Sequence, residues 1–299
     1  MGKIKPIILF LFLPFLLLAE KKIQSPSGRL SANIEVKNDH VNIDLLVKDS
    51  SVLQIRTLRF QLEKEIAEGI WELSGENRYT HDEIWQPVYG ERSLIRDRYN
   101  EQQLSLVSSG NRKEVKLYIR MYDEGIAVRY EFDKLDFWNQ VLTCEQTEFI
   151  FDKDYKTWIT DRAQGAYQEV TLTGINSEVD RPLVVELNEN CYVALGEAAL
   201  VDYARMKLKK NPAGFGVQSA LSGEVNLNLT NYISPWRYVM VGEHPGELVE
   251  NNYLILNLNE PNQIENTSWI KPGKVLREVT LTTQGGLACI DFAARNRIG

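Results

Sequence analysis

From about residue 21 to residue 260, apolar and polar residues alternate with a period of two. Ile34 and Val36, then Val41, Ile43, Leu45 and Val47, stand among polar neighbours on either side of Asn38-Asp39. A strand turns successive side chains to opposite faces, so this pattern predicts a hairpin. Val115, Leu117, Ile119 and Met121 lead through Asp123-Glu124-Gly125 into Ile126, Val128, Tyr130 and Phe132, which predicts a second one. Many such segments separated by short polar turns predict antiparallel sheets in a large sandwich, not alternating β-α units. Helical periodicity is weak in this region, and its best instance runs from Glu197 to Met206, with Ala199, Leu200, Tyr203 and Met206 as the apolar positions.

The two ends follow other patterns. Lys3 and Lys5 precede a 14-residue apolar run from Pro6 to Ala19, after which the chain turns polar at Glu20, Lys21 and Lys22. This is the layout of a secretory signal peptide, cut after Ala19, and the run falls short of the 18 or more residues that a spanning helix needs. At the other end, Trp269-Ile270-Lys271-Pro272-Gly273-Lys274 precedes a predicted strand over Val275–Thr283, a Gly285-Gly286 turn and a predicted helix from Leu287 to Asn296. A lone β-α unit leaves its strand without the parallel neighbours it needs, and a (β/α)8 barrel takes roughly 250 residues. The expectation is therefore a longer polypeptide whose front is this chain: residues 1–19 signal, 20–271 a β-sandwich domain, 272–299 a linker and the start of a truncated barrel.

Composition narrows the partners. The 299 residues carry 34 Lys plus Arg against 41 Asp plus Glu, a net charge of −7, and losing Lys3 and Lys5 with the signal makes this −9. Such a chain has no basic surface with which to neutralise a phosphate backbone, which excludes nucleic acid. An exported chain sits where disulfides form, and Cys144, Cys191 and Cys289 allow at most one internal disulfide. Cys289, in Gly-Leu-Ala-Cys-Ile, is expected in a core, and His40, His81 and His244 stand too far from the cysteines for a zinc spacing.

Five segments occur in a telling order: Trp85-Gln86-Pro87-Val88-Tyr89-Gly90-Glu91, Ile95-Arg96-Asp97-Arg98-Tyr99-Asn100-Glu101, Gly196-Glu197-Ala198-Ala199-Leu200-Val201-Asp202-Tyr203, Ser234-Pro235-Trp236-Arg237 and Ser268-Trp269-Ile270-Lys271-Pro272-Gly273-Lys274. Together they resemble the N-terminal part of glycoside hydrolase family 97, secreted or periplasmic α-glucosidases and α-galactosidases of the Bacteroides type. The resemblance implies a β-super-sandwich, distantly like galactose mutarotase, packed against a catalytic (β/α)8 barrel in cis and acting on α-linked oligosaccharides. It implies that the catalytic carboxylates lie beyond Gly299, so none is expected in this chain, which alone would be catalytically silent. It also implies a calcium ion held by barrel glutamates and one N-terminal glutamate. The matching stretch is Trp158-Ile159-Thr160 followed by Gln164-Gly165-Ala166-Tyr167-Gln168-Glu169, which makes Glu169 the metal-ligand candidate. Ca2+ takes six to eight oxygen ligands, so a carboxylate contributed by a second domain completes a cage that neither domain builds alone. Leu276 to Leu287 looks more like the retaining, galactosidase-type members.

The remaining candidates are weaker. Close acid pairs such as Asp152/Asp154 and Asp123/Glu124 are unavoidable with 41 acids in the chain, and Asp152-Lys153-Asp154 fails as a calcium hand because Thr157 and Ala163 stand where Gly and Glu are needed. A mutarotase-like activity needs a base facing a glutamate, for which His81 is the best candidate against the default of a solvated loop histidine. Trp85, Trp158, Trp236 and Trp269 are candidates for stacking on sugar rings, against a default of core or domain contact. Arg92, Arg96 and Arg98 crowd beside Glu91, Asp97 and Glu101, where internal ion pairing competes with seating the barrel. The rival to a hydrolase domain is a non-catalytic carbohydrate-binding or scaffold module of a glycan-uptake system.

Overall fold

The computed structural model describes residues 21–63, 70–110, 112–227 and 232–298. The expected signal over residues 1–19 lies outside them. The first half of the chain forms β1 (Lys21–Gln24), β2 (Leu30–Val36), β3 (Val41–Val47), β4 (Ser50–Leu62), β5 (Trp71–Trp85), β6 (Ile95–Ser108), β7 (Glu114–Met121), β8 (Gly125–Phe132), the short helix α1 (Lys134–Phe137) and β9 (Gln140–Ile150). There follow β10 (Lys156–Ile159), β11 (Gln168–Thr171), β12 (Leu183–Asn188), β13 (Cys191–Ala198), β14 (Met206–Lys210), β15 (Gly216–Leu221), β16 (Val225–Leu227), β17 (Tyr232–Ile233) and β18 (Trp236–Gly242). Helices α2 (Pro245–Glu250), α3 (Tyr253–Asn257) and α4 (Thr283–Asn296) close the chain.

Both predicted hairpins form. β2 pairs with β3 from Leu30↔Val47 to Val36↔Val41, and β7 with β8 from Val115↔Phe132 to Met121↔Ile126. The strands build an eight-stranded sheet, ordered β1-β2-β3-β4-β9-β15-β14 with β16 also on β9, and a ten-stranded sheet, ordered β11-β10-β12-β13-β18-β8-β7-β6-β5 with β17 also on β8. The strict alternation of buried and half-buried residues along β7 is the two-faced strand that the sequence predicts. Inward side chains of the two sheets, Ile43, Ile55 and Phe149 from one and Leu117, Val128 and Val239 from the other, share one buried core. Polar ties cross it: the Tyr130 hydroxyl accepts from the Leu58 N–H at 3.1 Å and lies 3.0 Å from Thr147 Oγ1.

β18 is buried along its whole length. Its outer residues Trp236, Tyr238 and Met240 pack under Leu254 and Leu258, in and just after α3, where full burial contributes about 1.5–3 kcal/mol per large apolar side chain. The three cysteines are free and half-buried, so Cys289 occupies no core, as α4 buries none of its residues.

Two predicted elements, one helix and one strand, do not form. Glu197–Met206 is not helical, because Glu197 and Ala198 end β13 and Met206 begins β14. Glu197 and Ala198 pair with β18 and Met206 pairs with β15, so ladders claim both ends of the stretch and outweigh a weak helical period. The strand expected over Val275–Thr283 does not form either: residues 271–282 join no ladder, with Leu281 turning to φ 56° and with Val275 84% and Leu281 90% exposed. A parallel strand needs a neighbour's backbone groups, and no described strand lies beside it. The helix starts at Thr283, four residues earlier than expected, because Thr282 caps it by accepting from the Gly285 N–H at 3.0 Å. Gly285 and Gly286 are thus helical rather than a turn.

Candidate functional site

The strongest site among the described residues gathers at one end of the ten-stranded sheet, where the β10–β11 loop, the turn before β12, the end of β13 and the start of β14 meet. The loop is a tight turn: the Gly165 N–H donates to Arg162 O at 3.0 Å, Thr160 Oγ1 donates to the same oxygen at 3.0 Å, and Gln164 takes φ 60°. A Cβ on Gly165 would lie 2.6 Å from Thr160 Oγ1 and 2.9 Å from Arg162 O, so glycine is what allows the loop to close. Arg162 is thereby held at the rim of a cavity of about 560 Å3, walled also by Asp180, Arg181, Glu197, Arg205 and Tyr238. Gly196 makes room for one wall, since a Cβ there would meet the Tyr238 ring at 2.4 Å.

Behind the cavity lies a buried charge network. Arg237, fully buried on β18, donates through Nε and Nη2 to the Glu145 carboxylate of β9 at 2.8 and 2.5 Å, tying the two sheets together, and through Nη1 to Glu197 Oε2 at 2.6 Å. Burial works most strongly against the charge on Arg237, yet Glu145, Tyr203 and Glu197 together outweigh it and hold the guanidinium above its ordinary range. The Tyr203 hydroxyl donates to Glu145 Oε2 at 3.0 Å. Burial, with Glu145 next, raises the Tyr203 hydroxyl well above the usual tyrosine value. Glu197 also takes the Met206 N–H and Arg181, whose guanidinium burial pushes below its ordinary value, with Glu197 pulling it up and Arg205 pushing it further down.

The outer end of this network is loose. Arg181 and Arg205 each reach Asp180 Oδ1 only at 3.5 Å, and Asp180 Oδ2 is buried without a hydrogen-bond partner. Arg205 is 42% exposed.

Glu169 sits on β11, two residues past the cavity-lining Tyr167. It pairs across from Trp158, so both side chains share one sheet face. Its carboxylate is 56% exposed and lies 3.8 Å from Lys156 Nζ. Among the described residues, no group of three or more His, Cys, Asp and Glu could hold a metal.

Most of the other candidates have found partners. His81 stands on β5 rather than in a loop, because strand pairing with β6 claims its backbone. It stacks on Tyr99 at 4.9 Å, with Nε2 3.5 Å from Asp97 and 3.9 Å from Glu83. Arg96 pairs bidentately with Asp82 at 2.7 Å, while Arg92 donates to Glu250 O and lies 4.3 Å over the Tyr253 ring. Trp236 is fully buried, Trp85 Nε1 donates to Asn257 at 2.9 Å, and Trp269 is 68% exposed.

Compared with known proteins, residues 23–261 match the family model described as glycosyl-hydrolase 97 N-terminal. The chain belongs to that family. A retaining alpha-galactosidase of Bacteroides thetaiotaomicron is 24% identical to this GH97 N-terminal domain and its tail, over 92% of this chain and 46% of the relative. Among solved structures, a glycoside hydrolase family 97 enzyme from Pseudoalteromonas sp. strain K8, in complex with acarbose, superposes with a TM-score of 0.80 at 23% identity over 93% of this chain and 46% of that one. A beta-arabinopyranosidase superposes with a TM-score of 0.79 at 15% identity, over 92% and 49%. The chain thus spans about half the length of the relatives it matches, and the superpositions, at these identities, establish a shared fold alone.

Sequence reasoning missed Arg162, Arg181, Arg205 and Asp180 as members of one site, although Glu197, Tyr203 and Arg237 fall in segments that carry the family resemblance. Those segments lie apart in the chain and meet only around Glu145 and Glu197.

Proposed function

We propose that this domain serves an exported, calcium-dependent α-glycoside hydrolase, with α-galactosides the favoured substrates, and that a catalytic (β/α)8 barrel follows it in cis. The observation that carries the reading is the match of residues 23–261 to the GH97 N-terminal model, joined to the likeness of 92% of the chain to a retaining alpha-galactosidase. The apolar side chains left exposed on the C-terminal arm, Trp269, Val275, Leu281 and Phe292 among them, support a further domain that covers them. Glycoside hydrolysis needs two carboxyls flanking the scissile bond, which this reading assigns to the barrel.

Glu169 fits one ligand position of a calcium site. Its exposed carboxylate is held by one long ion pair, so Lys156 can be released to Glu186, 3.6 Å away, when a cation arrives. It supplies at most two of the six to eight oxygens that Ca2+ takes, and the rest fall to the barrel. When bound, Ca2+ supplies a hard Lewis acid for oxygen ligands. The test is hydrolysis of p-nitrophenyl α-galactoside and α-glucoside by the longer protein, with EDTA, with calcium restored, and with Glu169→Gln. Loss with EDTA, recovery with Ca2+ and a raised calcium requirement in the variant are expected. Oligosaccharide binding without hydrolysis would instead establish a non-catalytic carbohydrate-binding module.

A further inference from the structure

The cavity beside the β10–β11 loop has more guanidinium than carboxylate. Arg162, Arg181, Arg205 and Arg237 stand in or directly behind it, against Asp180, Glu197 and Glu145. The inner charges are spoken for: Arg237 takes Glu145 and one oxygen of Glu197, and Arg181 takes the other. The outer ones are not. Arg162 is exposed and makes no ion pair within 4.0 Å among the described residues, while Arg205 has one contact at 3.5 Å with an aspartate oxygen that it shares with Arg181. In a chain of net charge −7, a cavity of about 560 Å3 with one positive charge in surplus is a local inversion of sign. Two partly free planar forks are the geometry that receives a carboxylate in bidentate fashion, and Arg is the residue type suited to that task.

We propose that this cavity binds the carboxylate of an acidic sugar, a uronic acid residue of an oligosaccharide, between Arg162 and Arg205, with the sugar ring against the exposed Tyr167 and the buried Tyr238. A monoanion matches the single surplus charge, whereas a dianionic phosphate would leave the site negative next to Asp180 and Glu197. The proposal takes from the preceding reading only that the ligand is a sugar. Its preference for charge stands on these arginines.

Calorimetry on the whole 299-residue chain tests it, with glucuronate, galacturonate, methyl α-galactoside, acetate and inorganic sulfate as probes. The uronates are expected to bind at least tenfold more tightly than the neutral glycoside, acetate or sulfate. Arg162→Gln and Arg205→Gln should each weaken uronate binding about tenfold or more, and raising the salt concentration should weaken it too, because screening acts on a half-exposed pair. Both arginines reach solvent, and an unchanged circular dichroism melt would show that the variants fold. Absence of uronate binding, equal affinity for the neutral glycoside, equal affinity for acetate or sulfate, or folded variants that bind like the parent would each overturn the proposal. The hydrolase reading fails by a different result, a longer protein that cleaves no α-glycoside, which leaves uronate binding untouched.

Discussion

The two ends of one charge network differ in kind. At the inner end Arg237, Glu145 and Glu197 are almost wholly withdrawn from solvent, and Arg237 meets both carboxylates within 2.8 Å. At the outer end Arg205 is 42% exposed and has, among the described residues, one ion pair, at 3.5 Å. Desolvating an ion is costly, so buried charges persist only where partners saturate them, whereas charges at a water-filled cavity can stay unsaturated at little cost. The inner end therefore fastens the sheets together, and the outer end keeps capacity for a ligand. Residues joined in a single chain of contacts do not share a single role.

Breaking the inner end should have the largest effect. Arg237→Met leaves Glu145 buried without its cation and should cost about 3–5 kcal/mol in urea unfolding. Replacing both Glu145 and Arg237 by Met should cost less than the sum of the singles, since they touch; additive costs would mean the pair is not coupled.

Alkali probes the same buried interior without mutation. Burial pushes Tyr130 and Tyr238 up to about 12 from an ordinary value near 10. A raised folded-state value means the stability is fully present below pH 10, where the unfolded chain also keeps its proton, and is lost as pH rises from about 10 to about 12. Chemical denaturation across that window should lose on the order of a few kcal/mol, and a flat profile would contradict the buried placement of these hydroxyls.

Two further substitutions act toward the outer end. Gly196→Ala drives a methyl into the Tyr238 ring and should cost about 1–3 kcal/mol while reshaping the cavity wall, which a melt combined with uronate calorimetry would register. Glu169→Gln removes one exposed, long ion pair and should change the stability of this chain by at most about 0.5 kcal/mol. A large loss there would make Glu169 part of the frame and sink its assignment as a free metal ligand.

Much of the fold was legible because strand signals are local. Val115 to Phe132 shows its hairpin by alternation and by the Asp-Glu-Gly turn, with no help from the rest of the chain. The candidate site was barely legible. Arg237 and Glu145 are 92 positions apart and Arg237 and Glu197 are 40 apart, so no spacing rule links them. Arg162, Asp180 and Arg205 read as ordinary surface charges until the β10–β11 turn and the strand ends bring them together.

By itself, the sequence determined the strand-rich class, the two hairpins, the acidic balance and the family, through alternation, composition and motifs that need only neighbouring residues. Tertiary structure decided that Glu197–Met206 leaves β13 and enters β14 instead of coiling, that Val275–Thr283 stays unpaired, that Cys289 stays outside a core, and that four arginines crowd one end of a sheet. The physical reason is range. A strand's two faces are set by its own pleat, but whether a backbone finds a ladder, or a charge finds its counter-ion, depends on segments that only folding makes neighbours.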